Sequence, residues 1–209
     1  MNTQIDLKQT EKASYRLAAY GDGTADLALG MTFLLLGLYP LTRAAFGPSW
    51  NMLFFLAVLG AIVGIQTWAR SRLAPSRIGI VKFGPRVKNR LRLALLVTIL
   101  LAAAMIATWA LSARGWFPGT PAWLGAYGFE IIVSLIVLAI MWSMAYTLEL
   151  TRYYFYGLLL AAGFPLQAAM TVYEGIPFLT AGGIIAVIGA VLLARFLKQY
   201  PPLDAGEEV

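Results

Sequence analysis

Six long apolar stretches govern what this chain can become: Ala25 to Phe46, Trp50 to Trp68, Leu93 to Ala113, Phe129 to Leu148, Phe155 to Tyr173 and Pro177 to Leu197. Each is 19 to 22 residues long, and a helix of about 20 apolar residues spans a hydrocarbon core of roughly 30 Å. Lipid offers no partner to backbone N–H and C=O groups, so such segments satisfy themselves as helices. A membrane β-barrel would instead show roughly ten-residue alternating segments, and none is present. Only 12% of the residues are charged against 60% hydrophobic, where a soluble domain carries about 25% charged residues. The expected fold is an all-α integral membrane protein, a bundle of six transmembrane helices.

The basic residues set its orientation. Fourteen of the 16 Lys and Arg fall on one side if the N-terminus and the connections after the second and fourth crossings share that side. Under the positive-inside rule both termini are then cytoplasmic. Residues 1–24 read as a polar N-terminal segment, either an interfacial helix or a solvated extension. Residues 25–200 form the six-helix domain with a basic cytoplasmic loop at 69–92, and residues 201–209 read as a disordered tail.

That loop is the strongest local feature. Arg70, Arg72, Arg77, Lys82, Arg86, Lys88, Arg90 and Arg92 are interrupted by no acid. Near an anionic leaflet each contributes about 1 kcal/mol of attraction, so the loop is expected to lie against headgroups. It either only fixes topology or also docks a protein partner at the cytoplasmic face. Ile78 to Phe83 is rich in β-formers and bracketed by Pro75 and Gly84-Pro85, which reads as an extended segment. A loop that only set topology would not need one. No nucleic-acid partner is expected, because the nearby aromatic residues have a membrane explanation.

Asp22 and Asp26 stand at the entrance to the first crossing, within Gly-Asp-Gly-Thr-Ala-Asp. Four residues apart, they would share a helix face, where they either cap the positive helix end and pair with loop cations or bind a cation. Both lie at one edge, whereas intramembrane aspartyl proteases place their acids deep in separate crossings. Only Asp22-Gly23 of the CDP-alcohol phosphotransferase pattern is present. With the acidic entrance and the Arg-Ile-Gly-Ile-Val-Lys-Phe-Gly loop together, residues 22–37 and 75–88 resemble a group of small uncharacterised bacterial polytopic membrane proteins. The resemblance implies a bacterial cytoplasmic (inner) membrane and brings no activity with it.

The remaining candidates lie within the crossings. The chain has no Cys and no His, which removes thiolate and imidazole metal sites, His-ligated haem and Ser-His triads. No catalytic residue, metal or cofactor is expected. Ser and Thr in the crossings are expected to bond their own backbone. Pro165 removes a backbone donor and frees a carbonyl near Gln167, an arrangement that either is a packed kink or forms a small-solute site. Gly60 and Gly64 make a GxxxG step, and Gly182, Ala186, Ala190 and Ala194 recur every four residues. Such faces pack helices closely, within one chain or in a homo-oligomer. Leu34 to Leu41 and Leu159 to Leu166 form a short internal echo ending in Tyr-Pro-Leu and Phe-Pro-Leu. The function expected is a non-catalytic accessory, structural or regulatory membrane component engaging a partner or anionic lipid through residues 70–92. The alternatives are a small-solute transporter or channel centred on the fifth crossing, and a lipid-modifying enzyme using Asp22 and Asp26.

Overall fold

The computed structural model describes residues 22–73, 122–170 and 173–201, together with helical positions scattered between 89 and 111. Among the described residues every regular element is a helix. Three helices are long and apolar enough to cross a membrane: Thr24–Leu73, Gly128–Thr147 within Ala122–Leu148, and Ile176–Gln199. The first of these is two helices. Gly47 has φ 73° and ψ 167°, a conformation that glycine adopts at little cost, and Pro48 then opens a new helix where its missing N–H costs nothing. The segments are α1 (24–46) and α2 (48–73). Tyr39 and Phe55 meet edge to face with ring centroids 5.8 Å apart; along one straight helix their backbones would stand about 24 Å apart. The chain therefore turns back on itself at Gly47.

A shorter apolar helix, α3, runs from Leu95 to Ala104. It is followed by α4 (Ala122–Leu148), α5 (Arg152–Ala169) and α6 (Ile176–Gln199). The helix at Ala122 starts seven residues ahead of the expected crossing at Phe129, because Pro121 is the last residue able to interrupt it. Helix α5 is displaced toward the N-terminus relative to the expected span of Phe155 to Tyr173. It ends at Ala169, with Met170 extended at φ −84° and ψ 126°. Residues 1–21 and 202–209, read from sequence as the polar segment and the tail, lie outside the described residues.

The chain divides into two compact units. In one, α1 packs antiparallel on the part of α6 from Gly182 onward, at backbone contact. A Cβ on Gly189 would strike the Leu27 nitrogen, one on Gly30 would strike the Ala186 backbone, and one on Gly182 would sit 2.8 Å from the Gly30 carbonyl oxygen. Gly23 and Gly30 are seven apart, as are Gly182 and Gly189; this heptad spacing keeps a contact stripe on one face of two helices that cross at a small angle. The four-residue stripe behaves differently. Four helical residues turn the chain about 40° past a full revolution, so Gly182 and Ala186 lie at the contact while Ala190 and Ala194 have rotated to the exposed side.

In the other unit α4 and α5 run antiparallel. Gly157 admits the Met141 and Trp142 side chains, its own Cβ position lying 2.9 Å from the Met141 Cβ. The Trp142 indole donates to the Tyr154 carbonyl at 3.3 Å and meets its ring edge to face. Tyr156 and Leu160 are fully buried. The turn joining the two helices places Glu149 at φ 55°, while the Leu150 N–H donates to the Ala145 carbonyl at 2.9 Å. This is a Schellman closure with glutamate where glycine usually stands. Tyr153 and Tyr156 are buried, whereas Tyr146, Tyr154 and Phe155 are exposed.

Candidate functional site

The beginning of α1 is built by Asp22. Its Oδ1 accepts the Thr24 N–H at 3.1 Å and its Oδ2 accepts the Thr24 hydroxyl at 2.9 Å. The Gly23 carbonyl accepts the first helical bond from Leu27 N–H at 3.0 Å. Asp22 thus satisfies one of the donors that a helix start leaves over, and its negative charge faces the positive helix end. The shared helical face expected of Asp22 and Asp26 does not form, because Gly23, at φ +72°, bends the chain between them. Both carboxylates and Thr24 are nonetheless buried. Gly23 itself lies against the α6 backbone, its Cβ position 2.7 Å from the Leu193 nitrogen, so α1 begins beside the last turns of α6.

Turning back at Gly47, α2 ends on the side where α1 begins. Arg70 and Arg72 occupy its last turn, where positive charge is favoured by the helix dipole. Arg195 and Lys198 are exposed near the end of α6. Four cations of this unit therefore gather at one end, around the buried acidic start of α1. Arg92 is helical and exposed. Arg77, Lys82, Arg86, Lys88 and Arg90 lie outside the described residues, as does the segment Ile78 to Phe83.

The proline of α5 resolves differently from an open break. Pro165 lacks the N–H that would bond the Ala161 carbonyl one turn earlier. That carbonyl accepts the Ser134 hydroxyl from α4 at 2.6 Å, and the helix continues to Ala169. Gly163 lets the Phe178 ring approach, and Phe164 meets Phe178 edge to face at 4.9 Å. Gln167 is half-buried one turn from this contact. Three further hydroxyls of the crossings bond back to their own helix: Thr32 to Ala28, Ser143 to Ile140 and Thr180 to Pro177. Thr98 and Thr171 lie outside the described residues.

Two features were not evident from sequence. Ser134 is the hydroxyl that reaches across helices, and its signal, a proline four residues beyond the acceptor, is readable only once the register of α4 on α5 is known. Asn51 is fully buried, with neither end of its amide hydrogen-bonded among the described residues. It follows the Gly47-Pro48 turn and shares the face of α2 that carries Phe55 toward α1. Gly60 and Gly64, by contrast, are exposed, and among the described residues nothing lies within 4 Å of a Cβ built on either. Among the described residues no group of three His, Cys, Asp or Glu is placed to hold a metal.

No family model, no curated protein and no solved structure matches this chain.

Proposed function

We propose that this chain is a six-helix protein of a bacterial cytoplasmic membrane, with both termini inside. On this reading it serves as an accessory or regulatory component engaging an anionic lipid surface or a protein partner through its basic segment 70–92. The observation that carries the reading is the uneven gathering of charge in one unit: among the described residues, Arg70, Arg72, Arg195 and Lys198 at one end, against Arg43 alone at the other. The contact of Gly23 with Leu193 supports an even number of crossings, since the first helix begins where the last one ends. The interior supports a non-catalytic role in a second way. Thr32, Ser143 and Thr180 are engaged by carbonyls of their own helices, and the carbonyl that Pro165 releases is held by Ser134.

The segment acts through charge density. Each cation within a Debye length of an anionic surface contributes about 1 kcal/mol, so removing four weakens the association by orders of magnitude without touching any membrane helix. The test replaces Arg86, Lys88, Arg90 and Arg92 by Gln and compares the purified proteins by native mass spectrometry. Loss of co-purifying anionic lipid or partner, with insertion intact, is expected. An unchanged set of retained molecules refutes the role given to this segment.

A solute pathway is the second reading, favoured by Gln167 lying half-buried beside the Gly163–Pro165 segment of α5. It predicts that Gln167→Ala lowers flux of a small solute into reconstituted vesicles. Equal flux with either side chain excludes that site.

A further inference from the structure

The last residues of α6 fix where the chain leaves it. Helical backbone is disfavoured before a proline, and proline itself brings no N–H, so Pro201-Pro202 closes the helix at Gln199. The Tyr200 N–H still donates to the Phe196 carbonyl at 3.0 Å, and the two rings pack with centroids 5.3 Å apart. Phe196 is buried. It stands seven residues beyond Gly189, which stands seven beyond Gly182, so it continues the stripe that α6 lays against α1. The chain therefore departs on the side where α1 begins.

The segment that departs there is acidic. Asp204, Glu207 and Glu208 fall within five residues with no cation among them, and nowhere else does the chain hold three acids so close together. The end it departs from is basic, with Arg70 and Arg72 in the last turn of α2 and Arg195 and Lys198 near the end of α6. Arg72, Arg195 and Lys198 are exposed, whereas the described acids at this end, Asp22 and Asp26, are buried in the start of α1. The reach suffices. Packed helix axes stand about 8–10 Å apart, so with α1 between them α2 and α6 are separated by at most about 20 Å. Glu207 and Glu208 come six and seven residues after Pro201, and an extended chain covers about 3.3 Å per residue, or about 20 Å over that stretch. Asp204, three residues after Pro201, stays within range of Arg195 and Lys198.

We propose that residues 203–209 dock on this basic end, Glu207 and Glu208 against Arg70 and Arg72, and Asp204 against Arg195 and Lys198. Exposed ion pairs are individually weak, but a tethered partner meets them at an effective concentration on the order of millimolar. The acidic segment is then an internal competitor for cations of the basic end, and an anionic lipid surface or acidic partner must displace it. That regulatory role rests on the function proposed above; the contact itself does not.

The chain has no cysteine, so engineered thiols report the contact cleanly. Ser71 is exposed between Arg70 and Arg72, and Ala205 follows Asp204. In the full chain, held in bilayers of uncharged lipid, Ser71→Cys with Ala205→Cys is expected to form a disulfide on mild oxidation, read as loss of both thiols without doubling of mass. Adding Glu207→Gln and Glu208→Gln should slow it about fivefold, and so should 1 M salt, where the Debye length is about 3 Å. Tethering alone would give one rate in all three conditions; that result, or no disulfide at all, overturns the proposal. In bilayers containing anionic lipid, the Asp204→Asn, Glu207→Gln, Glu208→Gln protein is expected to retain about fivefold more of that lipid by native mass spectrometry. Unchanged retention overturns the competition if replacing Arg86, Lys88, Arg90 and Arg92 does lower it. Retention that responds to neither change refutes the function proposed above, and the disulfide then decides the contact by itself.

Discussion

Replacing Ser134 by Ala removes a single oxygen, and its effect follows from the backbone of another helix. The Ser134 hydroxyl donates to the Ala161 carbonyl at 2.6 Å, and Pro165 ensures that no helical N–H can take its place. Hydrogen bonds between membrane helices average about 0.6 kcal/mol, reaching roughly 1.7, whereas stranding a buried acceptor costs about 1–3 kcal/mol. Ala161 is 6% exposed, so the second quantity governs, and Ser134→Ala should cost about 1.5 kcal/mol, or about tenfold in the folding equilibrium constant. Pro165→Ala restores the missing N–H. In that background Ala161 bonds within its own helix, and losing Ser134 should cost under about 0.5 kcal/mol. The double-mutant cycle is read by steric trapping or reversible unfolding in mixed micelles, with the coupling taken as the difference between backgrounds. An equal cost with and without Pro165 would refute the link between the proline and the serine. So would a Ser134→Ala protein as stable as the parent.

Other perturbations are sharper or opposite in sign. Gly189→Leu or Gly30→Leu drives a side chain into the facing backbone and should destabilise by about 3 kcal/mol or more, seen as loss of folded protein on extraction. Glu149→Gly should stabilise by about 1 kcal/mol, because glycine relieves the left-handed residue at φ 55° closing α4. A neutral or destabilising result in thermal unfolding would mean that the glutamate's own interactions outweigh its strain. Asp22→Ala removes the acceptor of both Thr24 donors and should cost about 1 kcal/mol; Asp22→Asn should recover most of it, and stability unchanged by Asp22→Ala would rule out the cap.

What hydropathy could reveal was the all-helical, apolar character of the chain and the rough position of its three membrane-length helices, because such helices leave their signature in composition alone. The turn at Gly47 was visible too, since Gly-Pro between two apolar runs has few other uses. Facing was harder to read. Ala190 belongs to a regular four-residue series yet points away from α1, since the helical repeat is 3.6 and the true contact recurs every seven residues at Gly182 and Gly189. Tyr153 and Tyr156 look like interfacial aromatics in one dimension and are core residues in three. The Ser134–Ala161 bond depends on how two helices register, and the spacing of Asp22 and Asp26 misled because one glycine between them leaves the helical region. Burial of Asn51 was likewise invisible, as nothing in Ser-Trp-Asn-Met distinguishes its face from that of Trp50, which is 71% exposed.

The claim on which the account rests is that the turn at Gly47 and the basic end of α2 lie on opposite sides of a bilayer. Single thiols placed at Ser49, Ser71 and Val81 test it with a membrane-impermeant maleimide. The account predicts labelling of Ser49→Cys in intact cells, and of Ser71→Cys and Val81→Cys only after the membrane is opened. Labelling of Ser71→Cys or Val81→Cys from outside, or of all three together, would contradict it.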